Sequence, residues 1–477
     1  MNTNKYCVFA DFANHPNLRL GGHYDIPAFQ YPMKPFTSFV SACEAGSRPS
    51  GGIDSRDYGQ VVSLGGEQIG INGMLNTEKL PYVSYENYDT CSKGKVQNED
   101  ILLCKDGALT GKVCLVEISA LPTSSVMVNE HVYIVRGNDK INQLFLFYLM
   151  RSSLFREQVS DLAFRKKGQP GLNLDHLKEI QLPDVPLDDQ ERILNKLTPL
   201  NRHVENLRKL IVPVVALIDN VLFSSFSIEK KALDLIEKEN PLYVGIRDVA
   251  KDNANIRFSY RWNKAIALQE YLKSTACNCD KLGNFIIDTQ NGWSPDCNNW
   301  QGAFQVLGVD AIESDAEMHF ENIKYSNESN ERIDQYYIKN GDFFVSRGNT
   351  VDLVAMAAIA HIGSNVPATI FPDLMIRVRF NENVVNEYVA YVFNSSIGRY
   401  YFKYSAKGKN QTMVKVSKQE LCDFYIPIPP ISKQREIVEA IQGELAKQRA
   451  IKDQLASLET ERNELIMSYL EDHRIYG

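Results

Sequence analysis

The sequence predicts an α+β protein made of two tandem globules, related by pseudo-two-fold symmetry and separated by two long antiparallel coiled-coil helices. Three observations predict it. A series of markers recurs in one order about 240 residues downstream, matching short strand patterns accompany them, and each half ends in a long helical stripe.

The markers come first because an internal repeat decides the whole architecture. Leu-Pro-Asp-Val-Pro-Leu-Asp-Asp-Gln-Glu-Arg-Ile at 182–193 returns as Ile-Pro-Ile-Pro-Pro-Ile-Ser-Lys-Gln-Arg-Glu-Ile at 426–437, an offset of 244. Asp100 in Asn-Glu-Asp-Ile-Leu-Leu-Cys-Lys-Asp-Gly matches Asp342 in Asn-Gly-Asp-Phe-Phe-Val-Ser-Arg-Gly. Gly168 matches Gly408, Leu64-Gly65 matches Leu307-Gly308, and Pro49 matches Pro295. Coincidental turn chemistry is the competing reading, but offsets confined to 240–246 favour duplication.

Within the halves, Gly59–Leu64, Ile101–Cys104, Lys112–Val116 and His131–Val135 have the composition of short strands bounded by Gly, Asn and Asp. Their partners are Phe304–Leu307, Asp342–Ser346, Val354–Ile362 and Leu374–Val378. A helical pattern follows each set, at Asn142–Phe155 and Asn386–Phe402. The expected domains are a first globule with its N-terminal segment at 1–186, a central helix at 187–228 and a charged, Asn-rich linker at 229–262. A second globule at 263–429 and a C-terminal helix at 430–477 complete the chain.

Both helices follow a Pro-rich phrase. Asp188 and Ser432 are suited to capping them, and Asp188 with Glu191 fits a capping box. Apolar positions then alternate at spacings of four and three: Ile193, Leu197, Leu200, Val204, Leu207, Ile211, Val214, Ile218 and Val221. The second copy has Ile437, Ile441, Ile451, Leu455, Leu458 and Leu465, interrupted by Glu444, Gln448 and Arg462. That is the spacing of a coiled-coil seam, although each stripe could instead cover its own globule. Pro199 and Pro213 predict a kinked or segmented first helix, because an interior proline removes a hydrogen bond and clashes with the preceding turn. The stretch from Ile193 to Val221 corresponds to about 42 Å of helix at ~1.5 Å per residue, or roughly 12 base pairs of duplex at ~3.4 Å each. Such a rod would serve as a ruler between two globules.

Composition bounds the function. The 477 residues carry a net charge of −7 with 44% hydrophobic and 23% charged residues, so the chain can build real cores and has no global positive field. A nucleic-acid partner is possible only through local patches. The first twenty residues lack a signal-peptide apolar core, no membrane span is expected, and nine cysteines without framework spacing fit a reducing cytoplasm.

Such patches exist. Residues 388–419 contain no acidic side chain but hold Arg399, Lys403, Lys407, Lys409, Lys415 and Lys418, with seven aromatics between Tyr388 and Tyr404. The equivalent first-half segment carries Arg151, Arg156, Arg165, Lys166 and Lys167. Basic loops at matching places suit phosphate contact, and Gln169, Asn410 and Gln411 are amides able to contact adenine. Lys105-Asp106-Gly107 and Arg347-Gly348-Asn349 end equivalent strands and form a second candidate contact loop. A solvated charged face, core aromatics and an unpartnered polar turn are the competing readings.

Self-contained catalysis is not expected. No phosphate-binding Gly-rich loop, no Asp/Asn-Pro-Pro-aromatic tetrad, no HExxH and no Gly-x-Ser-x-Gly occurs. Cys277, Cys279 and Cys297 could offer three thiolates but lack a nearby fourth ligand, so no metal site is assigned.

These residues together resemble the specificity subunits of type I restriction-modification enzymes. The resemblance rests on the tandem halves, the strands ending in Lys105-Asp106-Gly107 and Arg347-Gly348, and the basic glycine loop before each Pro phrase. It covers residues 19 to 470. It implies two target recognition domains, each reading half of a split, asymmetric sequence of double-stranded DNA, with the helices setting the spacer. It further implies two methylation subunits and restriction subunits as partners, which would carry S-adenosylmethionine, ATP and Mg. No cofactor and no catalysis would reside in this chain.

Overall fold

Apolar runs that show no alternation need cover on both faces, and the structure supplies it. The computed structural model describes residues 29–471, apart from 48–60, 71, 78–79, 108, 164–169, 239–259, 276–277, 322, 364–366 and 411–412. The chain divides into two units, residues 1–208 with 454–477 and residues 209–453.

In the first unit a four-stranded sheet has the order Val40–Ala45, Val132–Gly137, Ile101–Cys104, Val113–Leu115. Successive residues of its central strands point to opposite sides. Ile101, Leu103, Tyr133 and Val135 join a core shared with the helices, whereas Leu102, Cys104, Val132 and Ile134 join a second core. That second core lies against a three-stranded sheet ordered Tyr82–Val83, Val61–Leu64, Val126–Val128. Layers of helix, sheet and sheet result.

The second unit repeats this plan strand for strand. Its four-stranded sheet has the order Ile286–Asn291, Met375–Phe380, Phe343–Ser346, Ala357–Ile359, and its three-stranded sheet Ile323–Ser326, Phe304–Leu307, Thr369–Ile370. The expected strands are all present; the outer strands Val40–Ala45 and Ile286–Asn291, and the flanking strands of both three-stranded sheets, are additional. Their short, mixed sequences carry too little periodicity to be read in isolation.

The repeated markers have structural causes. Asp100 accepts from both Arg136 Nε and Nη2 at 2.7 Å, and Asp342 accepts from Arg377 at 2.8 Å. The same carboxylates receive the Gln97 and Lys339 N–H groups that turn the chain into each central strand. Gln190 and Gln434, from the Pro phrases, form equivalent clamps. Gln190 accepts the Asn142 N–H at 2.7 Å and donates to the Val185 and Lys140 carbonyls; Gln434 accepts the Val385 N–H at 2.8 Å and donates to Pro429 and Asn383. Both glutamines are buried.

Each expected helix after the sheets is split in two, Gln143–Arg151 with Ser153–Ala163 and Asn386–Asn394 with Ser396–Ser405. The break falls at Ser152 and Ser395, whose hydroxyls donate back to the Leu149 and Val392 carbonyls and compete with the helix. The restarted helix then takes its cap from far along the chain. Ser153 N–H donates to Asn463 at 2.9 Å, and Ser396 N–H donates to Asp219 at 2.8 Å. Asp219 and Asn463 are equivalent positions on the two long helices. Each unit therefore combines one repeat's globule with the last part of the other repeat's helix.

The long helices begin at Leu187 and Ile431, so the Pro186 and Pro430 carbonyls accept the first helical bonds, from Gln190 and Gln434. Asp188 and Ser432 thus lie inside the first turn rather than capping it; Asp188 favours the helix start electrostatically. Pro199 is tolerated within Leu187–Arg208, whereas Pro213 separates that helix from Val214–Phe226. Ile431–Leu470 is continuous.

Helix pairing is antiparallel within each unit. In the first, Ile193 and Leu197 share a core with Ile466 and Leu470, while His203 meets Gln454 at 3.2 Å. In the second, Ile218 and Leu222 share a core with Ile437, Ile441 and Leu445, and Val212 N–H donates to Gln448 at 3.0 Å. Of the expected seam, Ile193, Leu197, Val204, Leu207, Ile218, Ile437 and Ile441 are buried. Ile211, Val214, Val221, Ile451, Leu455, Leu458 and Leu465 are only partly so. Leu445 and Ile466 take the buried places expected at 444 and 465.

The expected linker is partly structured. Lys230–Lys238 is a helix joined to the globule by Asp234, which accepts from Tyr400, and by Glu237, which pairs with Lys403. A further helix, Tyr260–Ser274, crosses the boundary expected at 263, and residues 239–259 lie outside those described.

Asp219 offers a test of the reciprocal cap. Burial raises its pKa above the ordinary 3.8, and the two bonds from Ser396 only partly offset that. Between the ordinary and the raised value, the native state holds a proton the unfolded chain has lost, so stability falls as pH rises through that window. Asp219→Asn, copying Asn463, is expected to keep the cap and remove this loss. Urea unfolding from pH 4 to 7 should give a flatter stability profile than the parent; parallel profiles would contradict the assignment.

Candidate nucleic-acid interface

In each half the strand-end turn and described chain at or just after the basic segment, far apart in sequence, come together in the fold. In the second unit Gly348–Asn349 pairs with Met413–Lys415, which pairs in turn with Lys407–Asn410, forming a small antiparallel sheet. In the first unit Asp106 bridges Gly171, Leu172 N–H donates to the Lys105 carbonyl at 2.6 Å, and Gly107 N–H donates to Pro170 at 3.1 Å. The chain leaving each basic loop is thereby docked on the turn that ends the central strand.

At this junction Lys105 is partly buried, with Nζ 5.4 Å from the Tyr133 ring centre and 4.0 Å from the Asp106 carboxylate. Asp106 also meets His131 Nδ1 at 2.7 Å. Arg347 donates to the Asp373 carbonyl at 3.3 Å, and Asn349 accepts the Thr350 N–H at 2.8 Å. Both remain partly exposed.

Lys407 is exposed but anchored: its ammonium lies 2.6 Å from Glu420, which is buried and also receives the Ser417 N–H at 3.0 Å. Burial alone would push the Glu420 pKa up, but the bonds from Lys407 and Ser417 outweigh it and hold the pKa below its ordinary value. Glu420 is the first acid after the acid-free stretch, and its role was not legible from charge counting. Lys415 and Lys418 project beside it and are exposed. Arg165, Lys166, Lys167, Gln169 and Gln411 lie outside the described residues, as do the side chains of Lys409 and Asn410.

Two expectations need correction. Lys403 does not reach outward, because its ammonium pairs with Glu237 at 2.7 Å beneath the Lys230–Lys238 helix. The interleaved aromatics follow the competing reading and are mainly core. Tyr388, Phe393, Tyr401 and Phe402 are fully buried, and Tyr401 stacks on Phe424 at 4.7 Å between ring centres. Arg151 likewise turns inward to Glu459 at 2.6 Å.

Among the described residues no group of three or more His, Cys, Asp or Glu could hold a metal ion, and no helix is long and apolar enough to cross a membrane. Cys277 lies outside the described residues.

This duplicated arrangement has a family. The model of the type I restriction modification DNA specificity domain matches residues 40–212 and again 285–460, and the chain belongs to that family. Among characterised relatives it is similar to the type I restriction enzyme EcoKI specificity subunit of Escherichia coli K12, with 19% identity over 71% of this chain. It is also similar to the Escherichia coli EcoEI specificity subunit, with 22% identity over 34% of this chain. The matched stretches span 66% and 28% of those relatives' own lengths, less than two thirds.

Solved structures similar to it include the type I restriction-modification S subunit from M. genitalium, at 14% identity, with 93% of this chain and 97% of that chain covered and a TM-score of 0.38. The HsdS subunit from Thermoanaerobacter tengcongensis aligns at 15% identity over 94% of this chain and 98% of that one, with a TM-score of 0.31. Membership rests on the sequence family, matched once in each repeat.

The division between anchored and projecting cations can be checked directly. Lys403→Met should lower stability to urea by about 1 kcal/mol, the scale of a partly exposed ion pair. Lys415→Met should leave it within about 0.5 kcal/mol of the parent. Equal effects would undo the distinction.

Proposed function

We propose that this chain is the DNA sequence-specificity subunit of a type I restriction-modification complex and is not itself catalytic. Each unit reads one half of a bipartite, asymmetric target on double-stranded DNA through its strand-end turn and basic loop. The observation that carries this reading is the twofold match to the specificity family, coincident with the turn-and-loop junction present in both units. The halves differ widely outside the shared markers, so the two half-sites differ as well.

The chemistry is distributed by the same reasoning. Two methylation subunits and the restriction subunits are the partners, and they supply S-adenosylmethionine, ATP and Mg. In this chain Lys105, Arg347, Lys407 and Lys415 serve phosphate contact, while Asn349 and the loop amides Gln169, Asn410 and Gln411 serve base edges. The paired helices act as the spacer ruler.

Two experiments test this. Affinity for duplex DNA should fall steeply with salt, and Lys407→Ala together with Lys409→Ala should reduce the slope of log K against log salt by about two, near one for each phosphate left unneutralised. An unchanged slope would remove the basic loop from the interface. Replacing residues 263–425 with those of another family member should change one half of the methylated sequence, read from genome-wide adenine methylation. A change in both halves would show that the units do not read separately.

A further inference from the structure

Repeat 1 keeps open a cavity that repeat 2 fills. The cavity measures about 280 Å³ and is lined by Thr110–Val113 together with residues of the helices Gln143–Arg151 and Ser153–Ala163. Val113, Met150 and Val159 give it an apolar floor, and Lys112, Arg151 and Arg156 supply positive charge; no lining residue is acidic.

The two repeats can be compared residue by residue here. Ser-Ser-Leu-Phe-Arg at 152–156 corresponds to Ser-Ser-Ile-Gly-Arg at 395–399, an offset of 243. Gly111 and Ala355 also correspond: both have positive φ, 87° and 56°, and both donate their N–H to the central strand at 2.8 Å, to Cys104 and Ser346 respectively. Thr110 therefore matches Val354, Arg151 matches Asn394, Arg156 matches Arg399, and Val159 matches Phe402.

In repeat 2 the polar groups at this place turn inward to backbone carbonyls. Arg399 is drawn inward and donates to the Val354 and Phe393 carbonyls. Burial pulls its pKa down to about 10. Asn394 donates to the Ala357 carbonyl at 2.8 Å, and Phe402 is fully buried. In repeat 1 Val159 leaves the ring volume empty, and Arg156 stays exposed without an ion pair among the described residues. Arg151 faces Glu459, but that carboxylate is shared with Arg208 at 3.1 Å and with Arg462. Three guanidiniums around one carboxylate, with Lys112 and Arg156 at the same cavity, form a surplus of positive charge.

We propose that this cavity binds a phosphate-class oxyanion, with Arg156 and Lys112 as charged donors and Ser160 as a neutral one. Charge-assisted bonds of this kind are among the stronger polar contacts, and the apolar floor accommodates the carbon portion of a phosphoester. Thr110, on the lining, donates from its hydroxyl to Gly107 at 2.7 Å and to Pro170 at 3.3 Å. The cavity thus backs directly onto the turn-and-loop junction of the first unit. Its phosphoryl group comes either from a free phosphoester or from the backbone of bound DNA; only the second source rests on the proposed function.

The test uses the full-length chain, Arg156→Ala, and Val159→Phe, which copies the filling seen at Phe402. Thermal unfolding is followed against inorganic phosphate at constant ionic strength, and duplex DNA binding is followed against salt. A free-anion site predicts a phosphate-dependent rise in Tm for the parent. Both variants should weaken this response, Arg156→Ala by about tenfold in apparent affinity, the effect of one charge-assisted bond. A DNA-backbone site predicts no response to phosphate, but a salt slope lower by about one in Arg156→Ala. Parent and variants responding alike in both assays would overturn the proposal. A parent that binds no DNA would count against the proposed function, and the phosphate assay would still decide the cavity.

Discussion

The assembly of this chain depends on two helix caps donated across the repeats. A serine pair breaks the helix that follows each sheet, and the restarted helix has N–H groups that need acceptors. Local capping would use a neighbouring side chain. Here Asp219 serves Ser396 and Asn463 serves Ser153, across 177 and 310 residues of sequence. Such a cap contributes about 0.5–2 kcal/mol, modest against the packing around it. Its larger effect is on organisation: a globule and the far end of the other repeat's helix are ordered together. A single repeat lacks the acceptor that its own broken helix requires.

The same constraint explains polar residues in an otherwise apolar seam. Gln448 is buried where the first helix is interrupted, and it accepts the Val212 amide just before Pro213. Arg462 is buried beside Glu459 and lies 5.1 Å from the Tyr148 ring centre. A buried polar group costs stability unless it finds partners, and these find them at a helix break and in an arginine cluster. Two of the three polar interruptions, Gln448 and Arg462, are therefore places where the helix binds something besides an apolar seam, whereas Glu444 pairs with Lys447 on its own helix.

The candidate interface shows how burial sorts cations that look alike in sequence. Lys403 and Lys407 are four residues apart, yet one is held at Glu237 under a helix and the other stands exposed on a buried glutamate. Arg156 and Arg399 occupy the same repeat position, one exposed and the other partly buried with its guanidinium on the Val354 and Phe393 carbonyls. Charge counting sees only the total. Which ammonium faces solvent depends on what packs behind it.

Much of the fold was legible because its signals are local or recur. The central strands Ile101–Cys104 and Phe343–Ser346, the helices after each sheet, and the break at Pro213 all follow from composition, periodicity or the chemistry of proline. The edge strands, the helix in the expected linker and the helix split at Ser152 and Ser395 were not legible, since each needs a partner from elsewhere in the chain. By itself the sequence determined that there are two copies of one α+β plan, each followed by a helix with an apolar stripe, because duplication and periodicity are properties of order along the chain. Only the tertiary structure decided which copy's helix caps which globule, and that the chain leaving each basic loop docks on the strand-end turn. Hydrogen bonds between residues tens to hundreds of positions apart leave no periodic trace in the sequence that makes them.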